Sequence, residues 1–484
     1  MTITELNSPL STHIRPLSFH RSAYDPLLDA IGNAQIVLIG DGSHGTYEFY
    51  AHRANITQRL VDEKGFTVVA LEADWPDAFR INRYIHGGHR LQRHKDTARS
   101  CLGEFERFPK WMWKNEVMPQ FIDFLKTFNA EVMKSTGNAA NQVSVYGLDL
   151  YSLHRSAEQV VNYLERVDRE AAKAARAKYN CFERYGEDTT RYAFEAQFGL
   201  SKTCQQEVIQ NLQNLVRNHR QYIEEQVAAG AADDHPAYEQ FMAEMNALLV
   251  RDAEEYYRTM MQEDTKSWNI RDDHFARALV EIVRHLGSSA PDDSTQKDAK
   301  VVVWAHNSHV GDARATDMGR KRGEINVGQR CRELFGADNV FTIGFLTNRG
   351  TVTAAFEWDE PPLTRTLNPP IAQSIEKLFD ETANDDCFVI MHRIEDLPDG
   401  SARKVEVNQE LTRFLNRPRY QRFIGVLYKS ATEIPSHYAR CMVADQYDAV
   451  AHIKVSRGIQ PLEPEDVDKG LTRGELDETY PFGE

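Results

Sequence analysis

Gln35 to Gly40 (QIVLIG) is a short apolar run closed by glycine, and Phe66 to Leu71 (FTVVAL) is a second, rich in β-branched residues. Runs of this length without polar alternation predict strands buried on both faces. Thr46 to Lys64 between them reads as a helix, so the first 75 residues predict a strand, loop, helix, strand unit, the building block of a parallel sheet. Further strands are expected at Gln142 to Leu148, Val301 to Ala305, Asn339 to Phe345 and Cys387 to Met391. That alternation predicts an α/β fold with a mostly parallel central sheet flanked by helices.

From Leu153 to about Leu286 the strand signals vanish. Val208, Leu212 and Leu215, then Met242, Met245 and Leu249, then Tyr256 and Met260 recur at helical spacing, which predicts a large helical insertion. Its Met and Tyr stripes are expected to pack helix on helix in preference to lining a cofactor pocket. The polar tract Gly287 to Lys300 reads as a linker back to the sheet, and Leu462 to Glu484 as an acidic, solvated tail. The expected division is 1–152 and 299–460 as two parts of the α/β core, 153–298 as the insertion and 461–484 as the tail.

Composition narrows the function classes. The 484 residues are 41% apolar and 27% charged, the profile of a soluble globular protein, and carry a net charge of −15, which repels nucleic acid and anionic membrane surfaces. No uninterrupted apolar run approaches the ~18 residues of a membrane span, and the first residues lack a secretory pattern, so a cytoplasmic protein is expected. The six cysteines lie far apart with no CxxC pair, which predicts free, mostly buried thiols and neither a thiolate zinc site nor a disulfide framework.

Open parallel sheets bind ligands beyond the carboxyl ends of their strands, where loops converge. Titratable groups crowd those positions here: Gly40 to Gly45 (GDGSHG), Glu72-Ala73-Asp74-Trp75, Asp149, His306-Asn307-Ser308-His309 and Thr347-Asn348-Arg349. Three glycines in the first of these predict a sharp turn and a close backbone approach to a ligand. The segment lacks the spacings of phosphate loops, and a nucleophile elbow at Ser43 would need glycine where Asp41 stands. His44 is the expected base, because a helix N-terminus beside it disfavours imidazolium; a loop-pinning histidine is the bland alternative.

Phe49, Arg53, Ile56 and Leu60 share one helix face, which puts Arg53 on the apolar side. A guanidinium there is costly unless paired, and Glu72 is the expected partner, so a purely structural ion pair stands beside a catalytic one. His306 and His309 suit a metal, an oxyanion or substrate orientation, or simply the hydrogen bonds of their own loop. His86, His89 and His94 lie in a Gly/Arg-rich stretch expected to be a solvated loop. Trp75, Trp111 and Trp113 are candidates both for the walls of an apolar cleft and for the core, and Asp74 and Arg314 complete the expected substrate-binding set.

Gly40 to Tyr50 (GDGSHGTYEFY), Ala70 to Gly87 (ALEADWPDAFRINRYIHG), Phe108 to Asn115 (FPKWMWKN) and Trp304 to Met318 (WAHNSHVGDARATDM) resemble the erythromycin esterase family, as do Phe341 to Asp359 and Ser436 to His452. The resemblance implies an α/β fold of the erythromycin esterase and ChaN-like group, with the helical insertion as a cap over the active-site cleft. It also implies hydrolysis of an ester, in known members a macrolide lactone, by a histidine-activated water. His44, Arg53, Glu72, His306 and His309 match the family's functional positions, while Asp41 stands where the family commonly has glutamate, one methylene longer.

The expectation is therefore a hydrolase of a small-molecule ester or lactone that needs no cofactor. His44 takes a proton from water, Glu72 and Asp41 orient it, and Arg53, His306 and His309 stabilise the oxyanion or protonate the leaving group. One alternative holds a divalent metal, zinc or manganese, on the same His and carboxylate set. Another is a ligand- or haem-binding protein without turnover.

Overall fold

The computed structural model describes residues 8–87, 97–182, 185, 189–197, 199, 202–228, 236–261, 263–288 and 299–463. Its centre is an eight-stranded sheet built from β1 (Arg15–Pro16), β2 (Ile36–Ile39), β3 (Val68–Asp74), β4 (Ser144–Asp149), β5 (Val301–Trp304), β6 (Val340–Thr347), β7 (Cys387–Ile390) and β8 (Ala449–Ile453), in the order β1-β7-β8-β6-β2-β5-β3-β4. From β8 to β4 every pair is parallel; β7 is antiparallel to β8, and β1 to β7. The apolar runs work as period-2 strands buried on both sides. Ile36, Leu38, Val301 and Val303 enter one hydrophobic cluster, and Val37, Ile39, Val302 and Trp304 the other.

On the second cluster's side, α1 (Tyr47–Lys64), α2 (Trp75–Ile85) and α3 (Met118–Thr136) contribute Phe49, Ile56, Leu60, Ile81 and Phe121. The first cluster is covered by helices from the long middle segment: α4 (Leu153–Val167), α5 (Arg169–Tyr179), α6 (Thr189–Gln197), α7 (Gln205–Arg217), α8 (His219–Ala228), α9 (Pro236–Met260) and α10 (Asp264–Ser288). The stripe residues Val208, Leu215, Met242, Met245, Leu249 and Tyr256 are all buried in this cluster, so they pack between helices. Among the described residues no helix is long and apolar enough to cross a membrane.

The structure corrects several expectations. Glu72 and Asp74 lie within β3, not after it, because pairing with β4 continues past a bulge to join Asp74 to Asp149. The strand β8 was not expected: AVAHI offers small residues and a histidine where an apolar run would be recognised. Cys181 and Cys204 form a disulfide across the helical segment, whereas Cys101, Cys331, Cys387 and Cys441 are free and buried. Sequence spacing could not show that pair, since helix packing brings the two together. His86 is half-buried and bonds Gln142 and Ser144 through its two ring nitrogens, so it pins a strand and is not in a solvated loop. His89, His94, most of the expected linker and the tail from 464 lie outside the described residues.

Candidate active site

β2 ends at Ile39, and the chain turns through Gly40 to Thr46 into α1. The turn is glycine-rich because it threads against neighbouring backbone. A Cβ on Gly42 would stand 2.6 Å from the Phe345 carbonyl oxygen, and one on Gly45 1.7 Å from that of Thr353. The close approach is thus to protein, not to a ligand. Ser43 is fully buried and its hydroxyl is engaged by those of Thr46 (2.5 Å) and Thr347 (2.9 Å), an arrangement that leaves it unsuited to nucleophilic attack.

The turn presents Asp41 and His44 side by side, with Asp41 Oδ1 3.4 Å from His44 Nδ1. Arg53 reaches Asp41 Oδ2 at 2.8 Å, not Glu72 as expected, and lies over the rings of Tyr50 and Trp304. Burial would raise the Asp41 carboxyl, but the Arg53 guanidinium and His44 hold it below its usual range. Arg53 therefore acts from behind Asp41 and does not line the cleft.

Glu72 is the hub of the site. Its Oε1 accepts from Arg271 Nη2 (3.0 Å) and lies 3.2 Å from His309 Nε2 and 3.9 Å from His44 Nε2, while Oε2 accepts the His306 backbone N–H at 2.7 Å. Burial opposes its charge, yet His309, His44 and Arg271 together hold its carboxyl well below the ordinary value. Arg271 comes from α10 in the helical segment and also forms a fork with Asp149, at 3.0 Å through Nε and 2.7 Å through Nη2.

The two histidines after β5 have different chemistry. His309 is held through Nδ1 by Asp272 of α10 (2.9 Å) and stacks on Trp268. Burial alone would depress it, but the Asp272 and Glu72 carboxylates push it up to about 9, so at neutral pH it is an imidazolium. His306 goes the other way, pushed down to about 3 by burial and by His44. Its Nδ1 is engaged by the Ser308 hydroxyl at 2.8 Å, which leaves Nε2 as the other ring nitrogen. That Nε2 is buried without a hydrogen-bond partner, and the ring lies 4.7 Å from that of His44, centroid to centroid.

Of these groups His44, Glu72, Asp149 and Arg271 line one end of a cleft of about 510 Å³, mouth included, with Phe105, Phe108, Met112, Trp113 and Trp358 around the rest; Asp41, His306 and His309 stand behind them. Asp74 lines it, bound to Arg107 at 2.9 Å, and Trp113 lines it while donating to the Glu72 carbonyl oxygen at 3.1 Å. The other expected substrate contacts are elsewhere. Trp75 stacks on Tyr146 in the core, Trp111 is buried outside the cleft lining, and the half-exposed Arg314 folds back on Asp312. Among the described residues no three His, Cys, Asp or Glu side chains are arranged to hold a metal ion.

Sequence reasoning missed Arg271 and Asp272 and gave Asp149 no role. The signal was present: Trp268, Arg271, Asp272, Phe275 and Leu279 recur at helical spacing, so two charges sit on an apolar face, as Arg53 does.

A family model described as erythromycin esterase matches residues 61–456. An erythromycin esterase type I from Escherichia coli is 22% identical over 65% of this chain and 73% of its own. Among solved structures, a protein from Bacillus cereus superposes with a TM-score of 0.67 at 18% identity, covering 94% of this chain and 98% of that one. An erythromycin esterase mutant in its open conformation gives 0.58 at 14% identity, covering 95% and 98%. The α/β architecture with its mostly parallel sheet is shared with these neighbours.

Proposed function

The chain belongs to the erythromycin esterase family, which supports a hydrolase, and from that premise we propose that it cleaves an ester or lactone with a water activated by His44. The observation that carries this reading is the placement of one imidazole between two carboxylates. Asp41 faces Nδ1 and Glu72 faces Nε2. A proton on Nδ1, on the side of Asp41 with Oδ1 3.4 Å away, leaves the Nε2 lone pair on the side of the cleft, where Glu72 Oε1 is 3.9 Å away. A water at ~2.8 Å from each fits beside that gap.

The water oxygen attacks the carbonyl carbon, its proton passes to His44 Nε2, and the carbonyl electron pair moves onto oxygen. Collapse breaks the ester bond, and the departing alkoxide takes the proton back from His44. The products are a carboxylic acid and an alcohol, and no step passes through a metal or a covalent enzyme adduct. A base in this position contributes about 10²–10⁴ in rate.

A panel of aryl esters, lactones and macrolides, assayed in chelator with wild type and His44→Ala, tests the reading. Wild type is expected to hydrolyse at least one, His44→Ala to lose ~10²-fold or more, and a fluorophosphonate to leave the protein unlabelled. Equal rates in the two proteins, or loss of wild-type activity to the chelator, would overturn it.

A further inference from the structure

We propose that Arg271 is a catalytic residue, donating from Nη1 to the substrate oxygen that becomes negative during hydrolysis. The inference rests on the hydrolase reading above and adds a group to it that comes from the helical segment.

A guanidinium carries five N–H donors. Three are used: Nε bonds Asp149 Oδ1, and Nη2 bonds Asp149 Oδ2 and Glu72 Oε1. The remaining two are on Nη1: one faces the His309 ring nitrogen Nε2 at 3.1 Å, and the other has no acceptor among the described residues. His309 is held at Nδ1 by Asp272, and its Nε2 also lies 3.2 Å from Glu72 Oε1. Whichever protonation state His309 is in, one Nη1 hydrogen is left without an acceptor among the described residues.

The rest of the guanidinium is fixed. Two carboxylates hold one edge, and the rings of Tyr151 and Phe275 lie 4.9 and 5.1 Å from its carbon. The side chain is nearly fully buried yet lines the cleft beside His44, Glu72 and Asp149. Arg271 Nη2 lies 3.0 Å and His44 Nε2 3.9 Å from the same oxygen, Glu72 Oε1, so a carbonyl attacked by a water between His44 and Glu72 has the guanidinium for a neighbour. A rigid cation with an unspent hydrogen in a buried site stabilises charge that develops there without reorganising. A salt bridge serving only to hold α10 would have no need of the open donor.

The test uses Arg271→Ala and Arg271→Lys in the full chain, each checked for folding by circular dichroism. Two readings are taken. One is hydrolysis of the best ester from the panel, with and without millimolar guanidinium. The other is calorimetric binding of phenyl methylphosphonate, a tetrahedral anion that needs no turnover. Arg271→Ala is expected to lower kcat on the order of 10²–10³-fold with a smaller change in KM, to regain at least part of it with guanidinium, and to lose phosphonate binding. Arg271→Lys should fall between it and wild type.

A folded Arg271→Ala that keeps its kcat overturns the assignment, as does one that loses kcat without guanidinium rescue and binds the phosphonate as wild type does. If Arg271→Ala does not fold, Arg271→Lys decides: wild-type kcat and phosphonate affinity in that variant overturn the proposal. Should wild type hydrolyse nothing, the hydrolase reading falls, and a phosphonate site lost with the Arg271 guanidinium is the separate reading for this residue.

Discussion

Glu72 is a charged carboxylate in a buried place, and the groups around it explain how it remains so. Arg271 and His309 both approach Oε1, and His309 can act as a cation because Asp272 holds its other nitrogen. Removing one partner from such a buried set costs about 3–5 kcal/mol. The pH dependence follows from His309, whose folded value of about 9 lies above the ~6.5 of an unfolded histidine. Its contribution is fully present below about pH 6.5 and is lost as pH rises through about 9. Thermal unfolding of Asp272→Asn should therefore show a large deficit against wild type at pH 6 and a smaller one at pH 10. A deficit that does not change with pH would mean that Asp272 supports Val327, whose N–H it also accepts, and not the imidazolium. Single residues were legible in the sequence where a charge interrupts an apolar face. That rule found Arg53, yet it assigned the wrong partner, because which of two carboxylates a guanidinium meets depends on strand and turn geometry.

At the scale of elements, the strands that place the site were visible where their runs are uniformly apolar. VVVW of β5 and IVLI of β2 are fully buried on both faces. Polar strand ends were harder to read. β3 runs on through Glu72 and Asp74, so chemistry assigned to a loop sits in the sheet itself, which holds it more rigidly than a loop would. β8 escaped because alanines and a histidine carry little apolar signal. The glycine-rich turn was recognised, but its cause was not, since the Thr353 carbonyl that crowds Gly45 comes from a distant stretch of chain. Gly45→Ala must push that backbone aside, at a cost of about 1–3 kcal/mol or more, and should lower Tm along with activity. Unchanged stability with lost activity would instead indicate that Gly45 makes room for substrate.

Across the whole molecule, the site is assembled from pieces that are remote in sequence. β2 and its turn bring Asp41 and His44, β3 brings Glu72, the segment after β5 brings His306 and His309, and α10 brings Arg271 and Asp272. The motifs that carry the family resemblance foretold the first three, because strand ends of one parallel sheet must lie along one edge. They were silent on α10, whose position is set by helix packing within a segment that has no motif of its own. The proposed hydrolysis depends on what His44 does with its place between two carboxylates. The most direct measurement is a single turnover with enzyme in excess over an ester it hydrolyses, run in heavy-oxygen water, with mass analysis of both the product acid and the intact protein. Direct attack by water predicts one heavy oxygen in the acid from the first turnover and a protein of unchanged mass throughout. An acyl adduct on the protein, or a first-turnover acid without the heavy isotope, would contradict it.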